Sequence, residues 1–186
     1  MRVSATPLDG LLVIETKLWR DARGAFVETY HHRRYQDAGI AVTFVQDNFS
    51  WSQANVLRGL HYQLSRPQGK LVMVVEGRVF DVAVDIRTGS PTFGQWYGVE
   101  LSAENGRQLY IPPGYAHGFY VLSERAGFMY RCTDYYNPVD ERGIRWDDPQ
   151  LAIHWPSTTP LVSQKDQAYR TLAEMQAELP RWTAGR

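Results

Sequence analysis

Apolar and polar residues alternate with a period of two through the middle of the chain. Segment 79–86 reads Val-Phe-Asp-Val-Ala-Val-Asp-Ile, which puts its large apolar residues on one face and Asp81 and Asp85 on the other. Segment 70–75 is an apolar, β-branched run that a Glu-Gly turn ends. Further segments with strand character follow one another at intervals of roughly 8–12 residues, a spacing that predicts an all-β barrel or sandwich. They are 11–15, 25–30, 43–51, 56–63, 95–101, 108–111, 117–122 and 128–134.

Helix-forming patterns are scarce. Residues 31–38 form a polar stretch that ends at a glycine, and residues 171–174 read Thr-Leu-Ala-Glu, a capping box that predicts a short helix to about Leu179. From Asn137 onward Pro and Asp become frequent and the strand alternation fades. We therefore expect residues 1–186 to form one domain, in which 137–186 are loops and a short helix that close over the β core.

Charge and cysteine content exclude several classes of protein. The 186 residues contain 20 Lys plus Arg and 20 Asp plus Glu, and this neutral balance disfavours a broad basic face for nucleic acid. The chain has one cysteine, Cys132, so an intrachain disulfide framework is impossible and a reducing compartment fits. The N-terminus lacks an apolar leader and no apolar run reaches the roughly 18 residues of a membrane span. We therefore expect a cytoplasmic protein without membrane or nucleic-acid partners.

Four segments contain residues suited to catalysis, and each has an ordinary structural interpretation beside the functional one. Arg58 and His61 lie an odd number of positions apart, so they share a strand face only if Gly59 forms a bulge; otherwise they are a surface arginine and a core histidine. Lys70 is either a strand-edge lysine or a cation that faces an oxyanion. Tyr130 is either a core tyrosine or an acid in a pocket. Asp166 lies in a polar loop, from which it could orient a histidine.

Residues 112–117 read Pro-Pro-Gly-Tyr-Ala-His, which resembles the second half of the cupin signature, in which a Pro-Gly turn directs a histidine into a barrel. The first half would place two histidines one residue apart, whereas this chain has His61 and Gln63. A transition metal usually needs at least three imidazole or carboxylate ligands. We therefore expect a barrel without a metal or another cofactor.

Together these segments resemble the dTDP-4-dehydrorhamnose 3,5-epimerase family over about residues 5–183. The resemblance rests on Arg-Gly-Leu-His-Tyr-Gln at 58–63, Gln-Gly-Lys at 68–70, Ile-Pro-Pro-Gly-Tyr-Ala-His-Gly-Phe at 111–119, Tyr-Arg-Cys-Thr-Asp-Tyr-Tyr-Asn-Pro at 130–138 and Ser-Gln-Lys-Asp at 163–166. The family implies a metal-free cupin jelly roll, usually a homodimer. It also implies a dTDP-4-keto-6-deoxy sugar substrate, dTDP-4-dehydro-6-deoxy-D-glucose, which is inverted at carbons 3 and 5 to give dTDP-4-dehydro-L-rhamnose.

The resemblance also implies roles for individual residues. His61 is the expected base, Asp166 its partner, Lys70 the cation at the enolate oxygen and Tyr130 the acid on the opposite face. Residues 23–28 are expected to reach into the partner subunit's site. The expected substrate contacts are Arg23 and Arg58 at the diphosphate, Phe26 and Tyr136 beside the thymine, and His117, Gln46, Asn48 and Glu28 elsewhere in the site.

One departure and several alternatives accompany this interpretation. The family commonly has Ala-Pro three residues after the aspartate, where this chain has Tyr169 and Arg170. A mono-epimerase that inverts only one carbon would share the base and the pocket, and a related cupin moves a keto group between carbons 3 and 4. A metal-dependent cupin oxygenase and a non-catalytic sugar-binding cupin are the alternatives from other classes.

Overall fold

The computed structural model describes residues 1–183, and in this range the chain is built almost entirely of strands. The helical segments are α1 (His32–Asp37), α2 (Gln164–Gln167) and a 3-10 turn at Gln176–Glu178. The strands are β1 (Arg2–Ala5), β2 (Leu12–Glu15), β3 (Leu18–Asp21), β4 (Gly24–Val27), β5 (Gln46–Gln53), β6 (Val56–Gln63), β7 (Lys70–Glu76), β8 (Arg78–Asp85), β9 (Trp96–Ser102), β10 (Arg107–Ile111), β11 (Tyr115–Val121), β12 (Arg125–Cys132), β13 (Glu141–Gly143) and β14 (Leu161–Val162).

Two antiparallel sheets face each other across the main core. The first sheet has the order β1-β2-β10-β7-β12-β5, and the second has the order β13-β6-β11-β8-β9, with β14 parallel to β6. Strands β3 and β4 form a separate hairpin. The all-β prediction is confirmed, and each strand predicted from the sequence overlaps an observed one. The short strands β1, β3, β13 and β14 were not among the predicted segments.

Strand alternation sorts side chains between the barrel interior and the outside. In β8, Val79 and Ala83 join the interior core with Asp81 beside them, whereas Val82 and Val84 belong to a second core outside the sheet. The C-terminal segment covers this outer face with buried side chains that include Leu151, Leu172, Met175 and Leu179. Both faces of the second sheet are therefore buried, and polar residues of the interior face are enclosed.

A bulge in β6 brings two predicted residues to the same cavity. The pairing of β6 with β11 shifts between His117–His61 and Phe119–Arg58, so that β6 has one extra residue there. Gly59 occupies this position at φ +135°, and a Cβ on it would lie 2.6 Å from the Gly118 Cα. Of the two interpretations that the sequence left open, the bulge at Gly59 is the one present, and only glycine fits the close approach of the two strands.

The closing segment differs in detail from its prediction. The capping contacts at Thr171 form, since its backbone N–H and hydroxyl donate to Glu174 at 2.8 and 2.7 Å, but turns and the 3-10 turn follow in place of an α-helix. A stretch of so few residues before Pro180 gains little from helix propagation. The segment 161–167, predicted as a polar loop, contains α2. No helix within residues 1–183 is long and apolar enough to cross a membrane.

Candidate active site

A cavity of about 340 Å³ opens between the two sheets at one end of the barrel. The second sheet contributes His61 from β6 and His117 from β11, and the first contributes Lys70 from β7 and Tyr130 from β12. Strand alternation explains this convergence, because Lys70 shares its face with core residues of β7 and Tyr130 shares its face with core residues of β12. The predicted imidazole and phenol therefore lie on opposite walls of one cavity.

Asp166 reaches the cavity wall from α2, which places its carboxylate behind His61. Ser163 caps the N-terminus of the helix, and its hydroxyl accepts the Asp166 backbone N–H at 3.1 Å. One carboxylate oxygen lies 2.8 Å from His61 Nε2, and the other accepts the Gly59 N–H at 3.0 Å. Burial alone raises the pKa of Asp166, but the hydrogen bonds with His61 and Gly59 outweigh burial and hold that pKa below its usual value. The residue is therefore a carboxylate that fixes the imidazole ring.

Lys70 and Tyr130 form the opposite wall, and Cys132 lies on β12 two residues after Tyr130. Burial lowers the pKa of the Lys70 ammonium, while the nearby Cys132, Glu141 and Asp81 act in the opposite direction. Burial raises the pKa of the Tyr130 phenol, so that its proton is retained at neutral pH. Cys132 is buried, which raises the pKa of its thiol, and it pairs with Lys70 across β12 and β7. This wall can therefore supply a cation and a proton.

A second histidine–aspartate pair, which the sequence did not predict, lies deeper in the barrel. His117 Nε2 is 3.1 and 3.0 Å from the two Asp81 oxygens, and the imidazole stacks on Phe128 at 6.0 Å. Burial lowers the pKa of His117, against the opposing effect of Asp81. The signal in the sequence was the acidic Asp81 between Val79 and Ala83 on the barrel-facing side of its strand, but nothing local identified its partner.

The other residues that were predicted to contact the substrate and that line the cavity lie at its rim. Arg58 is exposed and is anchored by its Nε, which donates to the Ser52 hydroxyl at 3.0 Å. Gln46 donates to the Asn48 side chain at 2.9 Å and accepts the Tyr136 backbone N–H at 2.8 Å. The Tyr136 hydroxyl donates to Glu141 at 2.8 Å. Lys165 also donates to Glu141, a rim residue that the sequence did not single out.

Arg23 and Phe26, on the hairpin of β3 and β4, and Glu28, just after it, do not line this cavity. Arg23 pairs with Asp21 at 2.6 Å and its side chain is 90% exposed. Phe26 is 68% exposed and contacts only the Trp19 ring among the aromatic residues described. Glu28 pairs with Arg34 at 2.7 Å. The chain therefore does not bring these three predicted residues together with its own His61.

The fold and the cavity first define a class. Two facing antiparallel sheets form a cupin-type jelly roll, and the groups on its inner walls are those that move protons and stabilise anions. In the part of the chain that the structure describes, no cluster of three or more His, Cys, Asp or Glu could hold a metal ion. The jelly roll and the groups on its inner walls define the class as a cupin-type enzyme with acid–base side chains.

Comparison with known proteins narrows this class to a family. The model of the dTDP-4-dehydrorhamnose 3,5-epimerase family matches residues 5–174, and the chain belongs to this family. The epimerase of that name from Pseudomonas aeruginosa is 51% identical over 176 residues, which cover 94% of this chain and 97% of the relative. A dTDP-4-dehydrorhamnose 3-epimerase from Streptomyces niveus is 40% identical over 176 residues, with 94% and 85% covered.

The three-dimensional comparison agrees with the sequence comparison. A crystal structure of dTDP-6-deoxy-D-glucose-3,5-epimerase from Legionella pneumophila, in complex with dTDP-4-keto-L-rhamnose, matches with a TM-score of 0.95 and 56% identity. The match covers 98% of this chain and 99% of that one.

Proposed function

We propose that the protein inverts carbons 3 and 5 of dTDP-4-dehydro-6-deoxy-D-glucose and so forms dTDP-4-dehydro-L-rhamnose. The observation that carries this proposal is the placement of His61 and Tyr130 on opposite sheets, facing one cavity that also holds Lys70. Inversion requires a proton to leave one face of a carbon and another to arrive on the opposite face. Two walls with one proton-transferring group each satisfy that requirement.

His61 removes the protons. Carbons 3 and 5 both flank the carbonyl at carbon 4, so loss of either proton gives an enolate whose charge rests on the carbonyl oxygen. The Asp166 carboxylate, 2.8 Å from Nε2, orients the imidazole and stabilises the imidazolium that forms. Lys70 stabilises the enolate oxygen, because a cation in a water-poor cavity acts strongly on a developing charge.

Tyr130 returns the proton from the other wall. Its pKa is raised by burial, so the phenol carries its proton at neutral pH and can give it to the enolate carbon. We assign the diphosphate to Arg58, since a guanidinium can contact phosphate oxygens in pairs. We assign Tyr136 at the rim to stacking on the thymine, and Gln46 and Asn48 on β5 to further contacts with the substrate.

Two copies of the chain form the complete enzyme in this proposal. Arg23 and Phe26 lie on an exposed hairpin outside their own cavity, where they can complete the site of a partner subunit. The outer face of β5 supports association, because Phe49 and Trp51 are 47% and 53% exposed and contact each other at 4.8 Å.

Mixing two inactive variants tests the shared site. His61→Ala lacks the base but keeps the hairpin, whereas Arg23→Ala/Phe26→Ala keeps the base but lacks the hairpin contacts. After unfolding and refolding together, a hybrid dimer has one site with both parts intact, so activity returns. If each hairpin served its own barrel, no hybrid site would be intact and activity would stay absent.

Proton exchange in deuterated water tests the reaction. The product formed from dTDP-4-dehydro-6-deoxy-D-glucose should carry deuterium at both carbons 3 and 5. The 3-epimerase from Streptomyces niveus among the relatives makes a mono-epimerase the second candidate. Deuterium at carbon 3 alone would establish that candidate, and its absence from both carbons would leave a sugar-binding cupin.

A further inference from the structure

Tyr169 lies behind the His61–Asp166 pair, on the stretch that follows α2. Its ring centroid is 5.8 Å from that of His61, and the two rings are nearly perpendicular at 73°. The same ring covers Gly143, where an added Cβ would lie 2.2 Å from a ring carbon of Tyr169. Gly143 pairs directly with His61 across β13 and β6. The missing side chain at Gly143 is therefore what allows the phenol ring to reach the imidazole.

Backbone hydrogen bonds hold Tyr169 on both sides. The Ala168 N–H donates to the Gln164 and Lys165 carbonyls at 3.2 and 3.1 Å, which ends α2 immediately before Tyr169. On the other side, the Arg145 N–H donates to the Arg170 carbonyl at 3.0 Å. The ring position is thus fixed relative to both α2, which carries Asp166, and the chain that follows β13.

The hydroxyl of Tyr169 does not account for this placement. It is buried and has no hydrogen-bond partner among the residues described. Burial raises the pKa of this phenol, and the nearby Glu141 and Asp166 carboxylates raise it further, so the group is neutral. Since the hydroxyl makes no bond that would anchor the side chain, the packing surface of the ring is the part that acts on His61.

We propose that Tyr169 is a positioning residue for proton transfer by His61. An imidazole held only by its hydrogen bond to Asp166 can still tilt about that bond, which moves the other ring nitrogen away from the substrate carbon. The Tyr169 ring blocks this movement and excludes water from the inner side of the pair. The inference rests on the proposed function, because it assigns His61 the role of base.

Truncation of the ring tests this role. We expect Tyr169→Ala to lower kcat for exchange at carbon 3 by about tenfold or more, since small displacements of reacting groups cost large factors in rate, while KM changes by less than about threefold. Tyr169→Phe keeps the ring and should restore kcat to within about threefold of wild type. A kcat for Tyr169→Phe as low as that of Tyr169→Ala would assign the effect to the hydroxyl and overturn the proposal.

A matched control separates positioning from general loss of packing. Tyr120 is a half-buried tyrosine on β11 whose hydroxyl donates to Asn55 at 2.9 Å, and it does not line the cavity. Tyr120→Ala should lower the melting temperature without the tenfold loss of kcat. Equal losses of kcat in Tyr120→Ala and Tyr169→Ala would show that Tyr169 acts only through stability.

A double-variant cycle with Gly143 keeps the test decisive if Tyr169→Ala folds poorly. Gly143→Ala should displace the ring and lower kcat in the wild-type background, but should have little further effect once Tyr169 is alanine. Additive effects would overturn the proposal. Wild-type protein without any exchange on the dTDP-sugar would instead refute the proposed function, whereas active wild type with an equally active Tyr169→Ala would refute only the role of Tyr169.

Discussion

The protein contains two histidine–aspartate pairs of similar geometry in different surroundings. At the mouth of the cavity, His61 lies 2.8 Å from Asp166 and its side chain is 29% exposed. Deeper in the barrel, His117 lies 3.0 Å from Asp81, with side chains 8% and 0% exposed. Both histidines contact their aspartate through Nε2, so access to substrate and water is what separates a pair suited to proton transfer from one suited to holding the interior.

The two pairs are also assembled differently. Asp81 and His117 come from neighbouring strands, where the register between β8 and β11 places them two positions apart on the same face. Asp166 instead comes from α2 in the closing segment and is held by the Ser163 hydroxyl and the Gly59 N–H. A strand pair is rigid because the whole sheet fixes it, whereas the mouth pair depends on a short helix and on the bulge at Gly59.

The largest expected effect is on catalysis at the mouth. His61→Ala should lower exchange at both carbons by about 10³-fold or more, because the base is removed and general base catalysis contributes factors of this size. The assay is deuterium incorporation at carbons 3 and 5 under single-turnover conditions. His117→Gln keeps a polar group beside Asp81 and should lose far less activity. Equal losses in the two variants would contradict the division between the pairs.

The next largest effect is on the free energy of unfolding, and we expect a larger loss at the inner pair than at the mouth pair. His117→Ala leaves the buried Asp81 carboxylate without its hydrogen-bond donor, which should cost about 3 kcal/mol because the unsatisfied group is charged. His61→Ala should cost about 1 kcal/mol, since water can reach Asp166 through the space of a partly exposed side chain. Urea unfolding of both variants measures the difference. A larger loss for His61→Ala would reverse the comparison.

The next prediction has a smaller expected effect. It tests whether Tyr130 or the inner imidazole of His117 returns the proton to the enolate carbon. Both groups line the cavity, but Tyr130 lies on the wall opposite His61. Tyr130→Phe removes the acid but leaves the base. Inversion at carbon 5 needs both groups and should fall by about 10²-fold, whereas exchange at carbon 3 needs only the base and should fall by less. Nuclear magnetic resonance of the deuterated products distinguishes the two carbons. If carbons 3 and 5 lose activity equally, the assignment of Tyr130 as acid is wrong.

The sequence predicted the mouth of the cavity better than its interior. Alternation and turn spacing predicted the strands, and Gly59 left a bulge open as one of two interpretations, because these signals are local. The family resemblance added Asp166, which lies 105 positions from His61 and has no local signal. Asp81 and Tyr169 were missed because the contact of each becomes evident only from the fold: the register of β8 with β11 for Asp81, and the open space above Gly143 for Tyr169.

The smallest expected effect is on the pH dependence of stability. The two pairs should lose their contributions to stability in different pH ranges. Burial lowers the pKa of His117, aided by the Lys70 and His61 charges and opposed by Asp81. Below the ordinary value of 6.5 the unfolded chain binds a proton that the folded chain excludes, so stability is full above that pH and falls as the pH drops beneath it. The pKa of Asp166 is lowered from 3.8, so its contribution to the free energy of unfolding is lost only in more acidic solution.

Between pH 7.5 and 5.5, the free energy of unfolding of wild type should therefore fall by about 1 kcal/mol more than that of His117→Gln, as measured by urea unfolding, whereas Asp166→Asn should follow the wild-type slope. Parallel curves for wild type and His117→Gln would show that the inner imidazole is not held neutral by its burial.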